Sequence, residues 1–363
     1  MIVAYVSGHG FGHATRVGEV LRAARARAPE SAIALVTAAP EMLFREALLA
    51  PFVYRRLECD VGLAQRGALV IDEEETLARW RAFEAERPRR IEGEAAWLRQ
   101  VGARVVLADV PPLAFEAAAA AGVPGIGLAN FSWDWIYRHL ARRHPGFEEP
   151  ARSAETAYAK AHLLLELPFA GDLGAFPRRE AVPMVARRQR HPREETRVLL
   201  GLGPEPVVLV SFGGLGLPGF DPRVLAGLPE YRFVLETDEA DLPANVTGLS
   251  RGGLEARGLR YLDVIGAADV VVTKPGYGIV TDCIAAGTRL VYTDRGDFPE
   301  YPILVEEMAR YIPSAYVSND DLRRGRLEGA LERVLEEPPP PPPRLDGAEV
   351  AAKRLLEVAA GRG

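Results

Sequence analysis

One pattern occurs twice in this chain: a run of apolar residues that breaks into glycines. The first copy is Ile2 to Val6, followed by Ser7-Gly8-His9-Gly10-Phe11-Gly12-His13-Ala14-Thr15-Arg16. The second is Val207 to Phe212, followed by Gly213-Gly214-Leu215-Gly216. A continuous apolar run suits a strand buried on both faces, as in a parallel sheet covered by helices. Glycines at its carboxyl end let a ligand approach the backbone, and open α/β sheets bind ligands there. Two such openings in 363 residues predict two α/β domains facing across a cleft, a favoured place for ligands.

Alternating strand and helix patterns fill both halves. In the first, strands are expected at Ile2–Ser7, Ala32–Thr37, Val105–Ala108, Gly125–Ala129 and Leu163–Leu167. Helices are expected at Thr15–Arg27, Glu41–Leu49, Glu73–Val101, Leu113–Ala121 and Ala154–Ala161. In the second half the strands are Val207–Phe212, Tyr231–Glu236, Arg260–Leu262, Asp269–Thr273 and Arg289–Thr293. The expected organisation is an N-terminal domain over 1–168 and a proline- and arginine-rich connection over 169–205. A C-terminal domain over 206–337 follows, then a stiff spacer of prolines with a final helix over 338–363. The basic run Arg187–Arg190 reads as a solvated face of the connection.

Several function classes are excluded. The net charge of −6 gives no electrostatic support to nucleic-acid binding. Cys59 and Cys283 are far apart, and each lies in or near an apolar stretch, as expected of reduced core thiols. There is no leader-like or membrane-spanning run, which predicts a cytoplasmic protein. A dinucleotide site would need a third glycine where His13 stands. It would also need an acidic residue after the second strand, which instead runs into Thr37-Ala38-Ala39.

Chemistry collects at the predicted carboxyl ends of strands. His13 opens the first helix, where it can move a proton. Asp109, ending its strand, can fix the imidazole tautomer, or alternatively cap the helix before Pro111 and Pro112. His9 has no role beyond the loop. In the second half, Lys274-Pro-Gly276-Tyr-Gly278 leads into a helix bearing Asp282. Lys274 suits a phosphate. Asp282 can accept from two ribose hydroxyls, or only complement the helix dipole. Asp297 follows the next strand, where sugar hydroxyls could be bound. The indoles of Trp133 and Trp135, with Asp134 between them, could stack on a sugar face, or simply be core.

These runs carry a resemblance. Gly8 to Arg16, Asn130-Phe-Ser-Trp-Asp-Trp135, Phe212-Gly-Gly214 and Lys274 to Gly278 resemble glycosyltransferases of the GT-B fold. They are similar to the branch containing the peptidoglycan N-acetylglucosaminyltransferase. A closer likeness is to the glycosyltransferase-like N-terminal domain of plant L-arabinokinases and their bacterial relatives. The resemblance implies two facing Rossmann-like domains and a donor site in the C-terminal half, most often for a UDP-sugar. Gly213 and Gly214 would lie near the diphosphate, with Lys274, Gly276, Gly278 and Asp297 around the donor and Asp282 on ribose. The acceptor, a small molecule or glycan, would meet Gly10, Gly12, Trp133 and Asp134, and His13 would be the base. No cofactor and no bound metal are implied. The reading is glycosyl transfer. The rivals are hydrolysis of a nucleotide-sugar on the same fold, or a binding module without turnover.

Overall fold

The computed structural model describes residues 1–66, 70–212, 219–237, 239 and 241–362. Gly213, Gly214 and Gly216 lie outside the described residues. The first sheet contains β1 (Ile2–Val6), β2 (Ile33–Thr37) and β3 (Val53–Arg56). A small antiparallel pair follows, β4 (Gln65–Arg66) with β5 (Val70–Ile71). The first sheet resumes with β6 (Val105–Asp109), β7 (Gly125–Ala129), β8 (Leu163–Glu166) and β9 (Arg179–Ala181). Its order is β3-β2-β1-β6-β7-β8-β9, parallel throughout. The second sheet contains β10 (Val207–Ser211), β11 (Arg232–Glu236), β12 (Val246–Leu249), β13 (Val270–Thr273), β14 (Arg289–Tyr292) and β15 (Ser314–Tyr316). Its order is β12-β11-β10-β13-β14-β15, again parallel.

The N-terminal helices are α1 (Phe11–Arg27), α2 (Glu41–Leu48), α3 (Glu73–Gln100), α4 (Pro112–Ala121), α5 (Trp133–Ala141) and α6 (Glu148–Tyr158). Then come α7 (Arg193–Leu200), α8 (Arg251–Ala256), α9 (Tyr261–Ala267) and α10 (Tyr277–Ala286). The chain ends with α11 (Glu300–Met308), α12 (Asn319–Arg323), α13 (Glu328–Glu336) and α14 (Gly347–Ala359). Both sheets are covered on two faces, which explains the apolar strands. Ile2, Ala4 and Val6 of β1 pack toward α1, α2 and α14. Val3 and Tyr5 pack toward α3 to α6. No helix among the described residues is long and apolar enough to cross a membrane.

Two expectations change, and the final helix takes a defined place. The segment 169–205 is more than a connection: it holds β9, the last strand of the first sheet, and α7. Arg260–Leu262 is not a strand but leads into α9, whose residues from Leu262 to Ala267 are buried. A short apolar run fits a buried helix as well as a strand. The final helix α14 returns to the first domain, burying Ala351, Ala352 and Leu355 with the core of α1.

Each sheet has one topological switch point, where the strand order turns back: β1/β6 in the first and β10/β13 in the second. Crevices outside the carboxyl ends of strands form at such points. Val6 pairs with Asp109, and Ser211 with Thr273, so each switch point presents two loops side by side.

Candidate active site

At the first switch point the side chains of His13, Arg16 and Asp109 meet. His13, two residues into α1, places Nδ1 3.0 Å from Oδ1 of Asp109. Arg16, almost one turn further, grips the same carboxylate, donating Nε to Oδ2 at 2.6 Å and Nη2 to Oδ1 at 2.5 Å. Asp109 is fully buried. Burial alone would raise its carboxyl pKa, but the charges of Arg16 and His13 outweigh it and hold the group below its ordinary value. The alternative role as a helix cap is not taken up: α4 is preceded by Pro111 and has no side-chain cap. With Nδ1–H donated to Asp109, the Nε2 lone pair of His13 is free for a substrate proton.

Arg16 extends this centre across the cleft. Its Nη1 donates to Asn130 Oδ1 at 2.8 Å, and Asn130 Nδ2 donates to Glu300 Oε1 of the second domain at 3.0 Å. Its guanidinium lies 5.0 Å from the ring centroid of Tyr277, the first residue of α10. The sequence places Arg16 in the glycine-loop motif but does not mark it as a site residue. A cue was available: arginine sits one turn from His13 beside the apolar stripe Val17, Val20 and Leu21, all buried.

The second switch point gathers positive charge. α10 begins after Gly276, with no side-chain cap and no acidic residue in its first turn. Its first N–H groups and dipole favour an anion. Lys274 precedes it. Burial and the neighbouring charge of Arg295 both lower the Lys274 ammonium pKa. Arg295 donates Nη1 to Pro275 O at 3.0 Å, which brings it beside the same helix start. Arg295 was missed by the sequence reading because it arrives from the loop after β14.

The two centres are brought together by glycine. α1 also starts from an uncapped glycine, Gly10, with φ of 117°. A Cβ on Gly278 would come within 3.4 Å of the Gly12 Cα, so the two helix starts meet backbone to backbone.

Other expected site residues are placed differently. Asp282 is buried in α10, and its carboxylate is taken by Arg187, whose Nε donates to Oδ1 at 3.0 Å and whose Nη2 binds Oδ2. Arg187 is therefore not part of a solvated face, whereas Arg188 is exposed, beside Glu349. Asp297 pairs across the cleft with His139 Nε2 at 2.9 Å and with Arg143. In this structure its carboxylate, 57% exposed, bridges the two domains. Trp133 and Asp134 are 5% and 2% exposed, so neither presents a face for sugar stacking. Trp133 instead donates its indole N–H to Asp60 at 2.9 Å. Both cysteines are buried and free, as expected.

The paired parallel sheets and cleft are the architecture of the GT-B glycosyltransferases. The chain is similar over its full length to a solved glycosyltransferase of kitacinnamycin, at 19% identity and a TM-score of 0.63, covering 95% of that chain. It is similar to Arabidopsis thaliana UGT89C1 complexed with UDP, at 16% identity and a TM-score of 0.60, covering 99% of both chains. No protein-family model matches. In sequence it is 32% identical, over 99% of its length, to L-arabinokinase of Arabidopsis thaliana. This bears out the likeness read from the motifs. The chain spans about a third of that protein, 34% of its length.

Proposed function

We propose that this chain is a nucleotide-sugar-dependent glycosyltransferase, with the donor diphosphate at the start of α10 and His13 as the general base. One observation carries the reading: two uncapped, glycine-led helix starts, one from each domain, meet at Gly12 and Gly278 beside the His13–Asp109–Arg16 centre. An anion-binding end and a proton acceptor thereby share one cleft. The UDP held by one of the structural neighbours supports a uridine nucleotide as carrier.

In this mechanism the acceptor hydroxyl passes its proton to His13 Nε2 as its oxygen bonds to the anomeric carbon. The bond from that carbon to the diphosphate oxygen breaks, and its electron pair leaves with the nucleotide. The α10 N–H groups, Lys274 and Arg295 meet the leaving charge. Asp109 steadies the imidazolium that forms. Asp282 serves the ribose hydroxyls once Arg187 is displaced. The test is product analysis with UDP-sugars. A conjugate supports the transferase, free sugar makes the chain a hydrolase, and an absence of UDP release leaves it a binding module.

A further inference from the structure

His9, without a role in that mechanism, occupies a seat as specific as that of His13. Its ring lies against Gly62, which has φ of +61°, and a Cβ there would fall 2.3 Å from His9 Cδ2. Only a residue without a side chain leaves room for the imidazole. Nε2 lies 3.4 Å from the carbonyl oxygen of Asp60 and 3.7 Å from its Oδ1. The Asp60 carboxylate is buried and accepts from Ser7 Oγ at 3.2 Å and from Trp133 Nε1 at 2.9 Å. The indole also stands edge-on to the imidazole, at 6.3 Å between centroids. The His9 backbone N–H is held by Ser7 Oγ at 3.3 Å.

With Nε2 turned to Asp60, the free edge of His9 is Nδ1, and a third of the side chain is exposed, at 33%. His13 has the complementary arrangement, with Nδ1 anchored and Nε2 free. One loop thus offers two imidazoles, each backed by a buried aspartate, with Phe11 between them in sequence and 55% exposed. A single reacting hydroxyl needs one such nitrogen. A second fixed nitrogen has a use when the acceptor carries a second hydroxyl. The exposed phenyl ring suits the C–H face of a sugar.

We propose that His9 is an acceptor-binding residue, and that the acceptor is a polyhydroxylated ring, a sugar or cyclitol, rather than a flat phenol. One hydroxyl would bond His9 Nδ1 while another meets His13. The proposal rests on the transferase reading, and the experiment separates the two. Histidine side-chain NMR signals of the full chain, with UDP added, are followed during titration with methyl glucoside, methyl galactoside, methyl xyloside and myo-inositol. 4-Nitrophenol serves as the flat comparison.

At least one polyol should move the His9 signal, and 4-nitrophenol should not. His9→Phe keeps a ring in the seat but has no nitrogen, and should weaken that polyol by about tenfold. His9→Gln should recover most of the loss, because its amide can hydrogen-bond. UDP affinity should stay at the wild-type value in both variants, which also shows that they are folded. A His9 signal unmoved by every polyol, or His9→Phe binding like the wild type, overturns the proposal. If UDP still binds in that case, the donor site of the transferase reading survives and only the acceptor proposal falls. If UDP does not bind either, both fall.

Discussion

The two halves of the cleft treat their charges in opposite ways. In the N-terminal half Asp109 is gripped by Arg16 and oriented toward His13 by contacts of 2.5 to 3.0 Å. The positive and negative groups there are matched within the protein. In the C-terminal half, Lys274 and Arg295 share one helix start, and their mutual repulsion helps lower the Lys274 pKa. The carboxylate in that half, Asp282, is tied by Arg187 from the segment between the domains. One side is a preformed ion-pair cluster, and the other sets two cations beside an uncapped helix start. On the proposed reading, a preorganised base and positive charge near the diphosphate are what transfer from a nucleotide-sugar requires.

The comparison can be broken most directly at His13. His13→Ala should cut turnover by about 10²–10⁴-fold while leaving UDP affinity intact. Steady-state kinetics beside calorimetry checks both, and equal losses in the two would mean that His13 serves the donor side. Asp109→Asn should be felt first in stability. It leaves the buried Arg16 guanidinium without its anion, at a cost of about 3–5 kcal/mol, read by denaturant unfolding.

The same carboxylate gives an acid signature. Its pKa is lowered by folding. Its stabilisation is therefore complete above the unfolded carboxyl pKa and is lost as pH falls through the folded one. Asp109→Asn should flatten that part of the stability curve.

On the donor side the effects should be smaller and should appear in affinity. Asp282→Ala should weaken UDP by about 1.5–3 kcal/mol if ribose hydroxyls use that carboxylate. Arg187→Ala should act with the opposite sign, because ribose no longer competes with the guanidinium. A partly exposed pair is worth up to about 1 kcal/mol, so UDP should bind up to roughly fivefold tighter. Weaker binding in both variants would make the pair a fixed support and remove Asp282 from the ribose site. The smallest effect is in pH. UDP affinity should decline as pH rises through the lowered pKa of Lys274, and Lys274→Gln should abolish that slope in a calorimetric series.

The fold was legible wherever burial on both faces forces a continuous apolar run, as in β1, β6, β10 and β13. His13 and Asp109 were legible for a related reason: both stand at carboxyl ends of such strands, and the topology makes those strands neighbours. The partners that complete the site were harder to read. Arg16 looks like an ordinary helix arginine until Asp109 is beside it. Arg187 and Asp282 are separated by 95 residues, and no periodicity links them. The clasp from Asp297 to His139 and Arg143 depends on how two separately folded sheets face each other. β3, β12 and β15 are short outer strands with weak patterns, and β9 lies in a polar segment.

The central claim is that a nucleotide diphosphate binds where the two helix starts meet, with His13 facing the sugar it carries. A crystal structure of the full chain with UDP tests this most directly. The account predicts diphosphate oxygens on the N–H groups after Gly276, within reach of Lys274 and Arg295, and the Nε2 edge of His13 across the cleft from the outer phosphate. UDP lodged against the Gly8–Gly12 loop, with α10 untouched, would contradict it.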